Sequence, residues 1–336
     1  MGKAALRSIG LVLVVLAQTG VLAGTSTVEK TDYKGMEAYR LSDGRSQAVV
    51  VPSLGGRVMS YGLVGGYDFL WNAKSVAPGY KGWINYGGDR TAVAPQMDWM
   101  SFFGDLWPPD MEWDNGSFDA EITFDRRLLL QSRVSAKRGA MVSRILSMDD
   151  KGELVIEQKV EKISGEPRLM SLWNITQVIP PDAVFLPCDP ASAYRGGYYI
   201  CNTDKQDPKP SITRVSPGLL RVRHTMTHGY KLGVDSPSAG IAAVKDGVAF
   251  VERAPHPEGR YPDGGMDNGF PVEMFNDATA ADPYMEIELL SPLTSVSAKA
   301  TLTHTLRWSL HQLPSKDVKS KAVGKEMEKL LTVKVD

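Results

Sequence analysis

The sequence has no excess of charge of either sign: 38 basic residues stand against 39 acidic ones, and the formal net charge is −1. A chain with this balance has no overall positive field to attract nucleic acid or an anionic membrane surface. We therefore expect no nucleic-acid partner. The 336 residues, 43% of them hydrophobic, are enough to bury a large core in one big β domain or two smaller ones.

Several motifs that would identify an enzyme class are also missing. The chain has no glycine pattern of the Rossmann or P-loop type, no GxSxG elbow and no HExxH pair, so we expect no cofactor. His224 and His228 lie four residues apart, but their surroundings alternate like a strand, which would separate the imidazoles by about 13 Å. We therefore expect surface or half-buried histidines and no metal site. A two-carboxylate glycosidase stays conceivable, because one sequence does not reveal the separation of its carboxyl groups.

The first residues resemble an export signal. Lys3 and Arg7 precede an apolar run, Ile9–Ala17, that is too short to span a bilayer comfortably. Small residues then lead to a cleavage position after Ala23. We predict a signal peptide over residues 1–23 and a secreted or periplasmic protein without a membrane partner after cleavage; an uncleaved anchor is the alternative.

Cysteine is scarce, with only Cys188 and Cys201. Export to an oxidising compartment permits a disulfide between them, and the alternative is two buried free thiols. A catalytic cysteine is the least favoured interpretation, because no histidine or basic residue of suitable context lies beside either thiol.

Most of the remaining chain reads as short strands with period-2 alternation and β-branched residues, separated by turns such as SDGR, MDDKGE and VKDGV. The clearest strand segments are 46–63, 120–136, 153–163 and 300–313. No long amphipathic helix occurs before residue 315. This pattern predicts an all-β fold, a large antiparallel β-sandwich of two sheets.

No linker or repeat divides the chain, so we expect a single domain over residues 24–314. Residues 315–336 are Lys-rich, with Met327, Leu330 and Leu331 on a weak helical face. We expect a solvated C-terminal helix or a frayed tail there.

One strand carries an unusual pair of carboxyl groups. In "DPYMEIELLSP", Glu286 and Glu288 share one face of the strand, while Met285, Ile287 and Leu289 share the other. A strand whose polar side faces water would explain this. Beside an aromatic pocket, however, one of the glutamates becomes a candidate general base with a raised pKa.

The stretch "YGGDRTAVAPQMDW" (86–99) shows no regular period. It is either a polar loop or the lining of a ligand pocket. Asp89, Arg90, Gln96 and Trp99 have the chemistry of a saccharide site, since charged and amide groups bind hydroxyls and an indole covers the apolar face of a sugar ring.

These segments resemble galactose mutarotase-like proteins in their order and spacing. The resemblance runs from "VVPSLGGRVMSYGLVGGYDFLWNA" (50–73) through "SLWNITQV" (171–178) and "MEIELLSP" to "SVSAKATLTHTLRWSL" (295–310). The segments "GGDRTAVAPQMDW", "WPPD" and "YPDGG" are similar to the DUF4380 branch of that superfamily. The resemblance covers roughly residues 30–313 and implies the galactose mutarotase-like supersandwich fold.

The resemblance also implies a chemistry. In aldose 1-epimerases a Glu takes the proton of the anomeric hydroxyl while a His protonates the ring oxygen; here the base would be Glu288 or Glu286. The first His position is occupied by Tyr86. The second falls in a segment without His.

Further residues join the candidate substrate-binding set on the same basis: Asn174, Thr176, Gln177, Lys231 and Asp263. We predict a secreted carbohydrate-recognising protein, either an aldose 1-epimerase-like isomerase with a Glu base and a non-His acid, or a non-catalytic carbohydrate-binding module or structural cell-surface domain. The oligomeric state is left open by the sequence.

Overall fold

The computed structural model describes residues 26–74, 82–203, 209–263, 269–278 and 281–335. Within them the chain forms twenty-one strands and three α-helices. The strands are β1 Thr27–Tyr33, β2 Met36–Ser42, β3 Ser46–Val51, β4 Arg57–Leu63, β5 Asp89–Ala94, β6 Asp119–Ile122, β7 Leu128–Gln131, β8 Ala140–Met148, β9 Leu154–Lys162, β10 Arg168–Val178, β11 Ala183–Pro187, β12 Tyr198–Thr203, β13 Ile212–Ser216, β14 Leu219–Val222, β15 Tyr230–Val234, β16 Gly240–Lys245, β17 Val248–Arg253, β18 Val272–Asn276, β19 Met285–Leu290, β20 Thr294–Val296 and β21 Thr301–Gln312. The helices are α1 Trp99–Phe103, α2 Met111–Asp114 and α3 Lys321–Leu331.

The strands form two antiparallel sheets. The first has the order β1-β2-β3-β4-β5-β10-β19-β18-β15-β12, with β20 paired to β10, and the second has the order β13-β14-β11-β16-β17-β21-β9-β8-β7-β6. The main hydrophobic core lies between them and takes one face of each sheet, for example Ile287 and Leu289 from β19 and Leu306 and Trp308 from β21. The fold is therefore the predicted all-β sandwich of two sheets.

The local turn chemistry explains how neighbouring strands are connected. Asp246 and Gly247 join β16 to β17, and both have positive φ, 50° and 81°. A two-residue turn of this kind matches the twist of the strands that flank it. Of the strand segments expected from the sequence, 153–163 and 300–313 each form one strand, β9 and β21. Segments 46–63 and 120–136 each contain two shorter strands, β3 and β4 in the first and β6 and β7 in the second.

The stretch 86–99 is not simply a loop, because Asp89–Ala94 forms β5 in the middle of the first sheet. All six residues of β5 are buried. A strand covered on both faces has no polar side to alternate with an apolar one, which is why its sequence shows no period of two.

The C-terminal segment is folded onto the second sheet. The Ser320 side chain caps α3 by accepting a hydrogen bond from the backbone N–H of Val323 at 3.3 Å. Met327 and Leu331 are fully buried and pack with Phe185 of β11 in a second hydrophobic cluster. The helix is thus packed through its apolar face, unlike the solvated or frayed tail expected from the sequence.

Among the described residues, none of the helices has the length and apolar character needed to cross a membrane. The predicted signal peptide, residues 1–23, lies outside the described residues.

Candidate functional site

The first sheet presents a row of polar side chains on the face that points away from the main core. Ile175 of β10 lies opposite Arg90 of β5 on one side and opposite Glu288 of β19 on the other, and Glu288 in turn lies opposite Glu273 of β18. Residues directly opposite each other in an antiparallel sheet point to the same face. Four neighbouring strands therefore place their side chains side by side on this outer face.

At the centre of the outer face, one lysine joins two buried glutamates. Lys231 of β15 places its Nζ 2.6 Å from Glu273 Oε2 and 3.1 Å from Glu288 Oε2. Trp173 Nε1 donates a hydrogen bond to the same Glu288 oxygen at 2.7 Å, and the Lys231 ammonium lies 4.2 Å from the centroid of the Trp173 ring. We call these four residues the Lys231 cluster. A desolvated ammonium over an indole and between two carboxylates is held by both cation–π and ionic attraction.

Glu286 adjoins the Lys231 cluster, two residues before Glu288 on the same face of β19. Gln177 Nε2 donates a hydrogen bond to Glu286 Oε1 at 2.7 Å. Glu286 is half-buried, whereas Glu273 and Glu288 are fully buried. The alternation seen in the sequence is thus realised: Met285, Ile287 and Leu289 lie in the main core, and both glutamates lie on the outer face.

The pKa values in this region are strongly perturbed. Burial, reinforced by the charge of Glu288, raises the pKa of Glu286 to about 7. Burial also raises the pKa of Glu273 well above its usual range, against the opposing attraction of Lys231. For Lys231, burial opposes the charged form, but Glu273 and Glu288 outweigh it and raise the pKa. The site therefore combines a permanent cation with carboxyl groups that hold protons unusually well.

Three buried oxygens of the outer face have no hydrogen-bond partner within the described part of the chain: Glu288 Oε1, Glu273 Oε1 and Gln177 Oε1. A buried acceptor that lacks a donor costs about 1–3 kcal/mol. All three are acceptors, so a ligand rich in hydroxyl groups would supply what they lack.

Beside this cluster, Arg90 lies under two tryptophans. Its guanidinium group is 5.8 Å from the ring centroid of Trp83 and 5.7 Å from that of Trp107. Asp114 holds the arrangement together, because its carboxylate accepts from Arg90 at 3.2 Å and from Trp83 Nε1 at 2.6 Å. Arg57, fully buried, donates to Asp114 as well, at 2.8 Å.

The tryptophans form a continuous aromatic wall. Trp107 stacks on Trp99 with 6.0 Å between ring centroids, and Trp99 is 6.2 Å from Trp173 of the Lys231 cluster. Trp99 is itself buried and donates from Nε1 to the backbone oxygen of Val93 at 2.9 Å, whereas Trp107 is 39% exposed. The wall links the Arg90 region to the Lys231 cluster.

Two cavities of about 400 and 640 Å³ open elsewhere on the molecule. The first lies beside α2 and the second beside the segment 189–197, and neither is lined by a residue of the Lys231 cluster. We base the candidate site on the convergence of chemical groups and not on cavity size. Its more accessible end is Glu286.

The structure divides the residues predicted from sequence between the two faces of the first sheet. On the outer face lie Arg90, Gln177, Lys231, Glu286 and Glu288. The inner face carries Asp89, Asn174 and Thr176, which therefore do not share a pocket with Arg90.

Those three residues join the two sheets. Asp89 pairs with Arg144 of β8 and accepts from Thr176 Oγ1 at 3.1 Å. Asn174 accepts from Gln158 of β9 at 3.2 Å. The Asp89–Arg144 and Asn174–Gln158 contacts cross the sandwich interior, and Thr176 also bonds to Glu252 of β17 in the second sheet. The three residues therefore connect the two sheets.

The remaining predicted residues lie at the margin of the site. Tyr86 packs over Arg57, 6.0 Å from ring centroid to guanidinium, and Gln96 donates to the backbone oxygen of Leu106 at 3.0 Å. Asp263 is exposed, and its charge acts on both Lys231 and Glu273.

The amino-acid sequence matches the family described as Domain of unknown function (DUF4380) over residues 36–311. The chain belongs to the DUF4380 family. No curated protein matches the sequence.

Solved structures of galactose mutarotase-like proteins are similar in fold to this DUF4380 protein. A candidate aldose 1-epimerase from Klebsiella pneumoniae is 9% identical with a TM-score of 0.57, covering 92% of this chain and 88% of its own. A galactose mutarotase-like protein from Clostridium acetobutylicum is 12% identical with a TM-score of 0.52, covering 86% and 99%. A TPR-domain containing protein from Parabacteroides distasonis is 14% identical with a TM-score of 0.54; the match covers 90% of this chain but only 49% of that protein, about half its length. At these identities the likeness shows the β-sandwich fold alone, as predicted.

Glu273 and Asp114 are among the residues of the candidate site that the sequence did not single out. Glu273 lies between the core residues Val272 and Met274. A single carboxyl group between two apolar residues was the only sequence signal that it faces away from the core. Asp114 lies in the short helix α2. No sequence pattern indicates that the loop before this helix brings Asp114 close to Arg90 and Trp83.

The histidine segment differs from its expected form. Residues 223–229 form an irregular turn between β14 and β15 and not a strand, so the separation calculated from strand geometry does not apply. His224 Nε2 contacts the backbone oxygen of Asp277 at 2.7 Å, and His228 is buried with Nδ1 2.7 Å from Thr227 Oγ1. Across the described ranges, no group of three or more His, Cys, Asp or Glu residues is arranged to hold a metal ion.

Cys188 is buried, and its Sγ accepts a contact from Arg214 at 3.4 Å. Burial raises the pKa of its thiol, although Arg214 acts in the opposite direction. The side chain of Cys201 lies outside the described part of the structure, so the Cys188–Cys201 disulfide stays a prediction.

Proposed function

We propose that this DUF4380 protein binds a carbohydrate on the outer face of the first sheet, against the Lys231 cluster. The observation that carries the proposal is the set of orphaned acceptors on Glu288, Glu273 and Gln177 beside the Trp173 ring. Sugar hydroxyls would donate to these oxygens, and the aromatic wall would cover an apolar sugar face.

The charges of the site favour a neutral sugar. The Lys231 cluster and Glu286 together bring three carboxyl groups against one ammonium, and Arg90 is already paired with Asp114. Both cations, Lys231 and Arg90, are already paired within the described structure, so an anionic sugar would find no unpaired cation at this site. The proposed ligand is a neutral aldose or its glycoside.

The sequence resemblance favours one activity at this site, an aldose 1-epimerase-like isomerisation with a glutamate base. Glu286 and Glu288 are adjacent carboxyl groups in different surroundings, the arrangement that lets one give and one take a proton. A non-catalytic carbohydrate-binding module is the second candidate. Because the sequence predicts a signal peptide, we propose that either function is carried out outside the cytoplasm.

Binding of a neutral-sugar panel by the purified protein, measured by titration calorimetry, tests the proposal. We expect Gln177→Leu, which keeps the size of the side chain but removes an orphaned acceptor, to weaken binding roughly 2- to 10-fold, the equivalent of one hydrogen bond.

The matched control is Gln131→Leu, at an exposed position of β7 in the second sheet, which should bind as the wild type does. If no sugar binds, or if both variants bind as the wild type does, the proposed site is wrong and a purely structural role is favoured.

A further inference from the structure

The inference concerns the proton donor of the site and rests on the proposed carbohydrate function. Opening a cyclic hemiacetal requires one group to remove the proton of the anomeric hydroxyl and another to deliver a proton to the ring oxygen. We propose that Glu288 is the proton acceptor and Glu286 the proton donor of this reaction. Glu286 would thereby deliver the proton to the ring oxygen. Neither Tyr86 nor the Asn174–Gln177 segment provides a histidine for this step.

The two carboxyl groups are placed to act on one carbon atom. Glu286 and Glu288 lie two residues apart on one strand face, about 7 Å along the strand axis. The anomeric hydroxyl and the ring oxygen are bonded to the same carbon, so a sugar seated between the side chains presents one oxygen to each.

Two donors hold one carboxyl oxygen of Glu288 in place. Its Oε2 receives the Lys231 ammonium and the Trp173 N–H. Its Oε1 is buried and has no hydrogen-bond partner among the described residues, so it is the acceptor to which a substrate hydroxyl would donate. A carboxylate with one oxygen fixed by donors and the other free is prepared to act as a base.

The surroundings of Glu286 favour a proton on it. Gln177 occupies Oε1, and the charged or titratable groups that face the side chain are Glu288, Arg90, Lys231 and Tyr284. Glu286 is also the more accessible of the two glutamates. With its pKa raised to about 7, both protonation states are populated near neutral pH, as a proton donor that must be recharged requires.

The other polar groups of the outer face are poor donors. Lys231 is held in its charged form by two carboxylates, which raise its pKa. For Arg90, burial lowers the pKa but Asp114 and Glu286 outweigh it, and the net shift is upward. The Tyr284 hydroxyl has its pKa raised by burial and by Glu286.

The proposed step is balanced in atoms and charge. Glu288 takes the anomeric O–H proton while the C1–O5 bond breaks, C1=O1 forms and O5 takes the Glu286 proton. After rotation about C1–C2, O5 attacks the other face of the aldehyde, O1 recovers a proton from Glu288 and O5 returns its proton to Glu286. The cycle needs no oxidant or cofactor.

Polarimetry of freshly dissolved α-aldoses that the wild type binds, over pH 5 to 9, tests the assignment. We expect a rate that falls above about pH 7, because the donor must be protonated. Glu286→Gln should lower kcat by roughly 10²- to 10⁴-fold and abolish that alkaline limb while its sugar affinity stays within about 3-fold. Glu288→Gln should also lose turnover, and Glu286→Asp should recover part of it with a shifted limb.

Glu157→Gln, at an exposed carboxylate of β9, is the matched control and should turn over as the wild type does. The assignment is overturned if Glu286→Gln keeps wild-type turnover, or if Glu273→Gln is the variant that removes the alkaline limb. It is also overturned if the wild type binds a sugar without accelerating its mutarotation, and in that outcome the carbohydrate-binding function still stands. If no sugar binds, the proposed function itself fails.

Discussion

Glu286→Gln should make the protein more stable relative to the wild type as the pH rises. The folded state holds a proton on Glu286 up to about pH 7, whereas an ordinary glutamate with a pKa of 4.5 releases it much earlier. When the pKa of a carboxyl group is higher in the folded state than in the unfolded state, the group stabilises the fold fully at a pH below its unfolded-state pKa. This stabilisation is lost as the pH rises through the folded-state pKa. Glutamine does not titrate, so the variant escapes this loss.

The size of the effect follows from the two pKa values. They differ by about 2.5, and each pKa unit corresponds to about 1.4 kcal/mol, which gives roughly 3 kcal/mol over the whole range. Between pH 5 and pH 8 the expected change is about 2–3 kcal/mol, because the unfolded chain has already released part of its protons at pH 5. The amide keeps the side-chain length and can still bond to Gln177.

Urea unfolding followed by tryptophan fluorescence at pH 5, 6, 7 and 8 measures this difference. The quantity to plot is the free energy of unfolding of the variant minus that of the wild type, which cancels the other titrating groups. Glu157→Gln, whose parent side chain is 46% exposed, should give a pH-independent difference. A flat or descending plot for Glu286→Gln would refute the inference that Glu286 holds its proton near neutral pH.

Two further predictions concern packing and charge. Lys231→Met should lower the free energy of unfolding by about 3–5 kcal/mol at pH 7, because Glu273 and Glu288 lose their counter-charge, and the loss should shrink as the pH falls. Lys159→Met, whose parent side chain on β9 is 42% exposed, should cost less than about 1 kcal/mol, and equal losses would show that Lys231 is not a buried counter-ion. Met327→Ala should lower the free energy of unfolding by about 2–5 kcal/mol, measured by thermal or urea unfolding, because Met327 packs α3 onto the second sheet. Lys325→Ala, on the exposed side of α3, should leave the free energy of unfolding unchanged. An unchanged stability of Met327→Ala would mean that the packing of α3 does not stabilise the fold.

The sequence predicts the fold well because alternation and turn chemistry are local properties. The Asp246–Gly247 hairpin and the two-faced pattern of β19 depend on residues a few positions apart. Face assignment succeeded for Glu286 and Glu288 for the same reason, since three core residues alternate with them.

The composition of the site was less predictable, because β5 and β10 are buried on both faces. Asp89 and Arg90 are neighbours in the sequence, yet they must point to opposite sides of the sheet. Because polar residues lie on both faces, the sequence does not reveal which face points into the core. Residues that connect the two sheets were therefore predicted together with residues of the candidate site. The neighbours that perturb Glu286 come from distant strands: Gln177 is 109 positions away and Arg90 is farther still, and only the sheet order brings them together.

The cross-sheet contacts of Asp89, Asn174 and Thr176 have a consequence for any mutational survey of this protein. Asp89 lies on the same strand as Arg90, and Asn174 and Thr176 lie on the same strand as Gln177. Truncating one of these inner-face residues should therefore shift the strand that positions Arg90 or Gln177. Such variants would resemble variants of the proposed site, although the substituted residues lie on the opposite face of the sheet. Substituting the residues of β5 and β10 one by one should therefore give an alternating result. At inner-face positions, ligand affinity should fall only where the stability of the fold also falls.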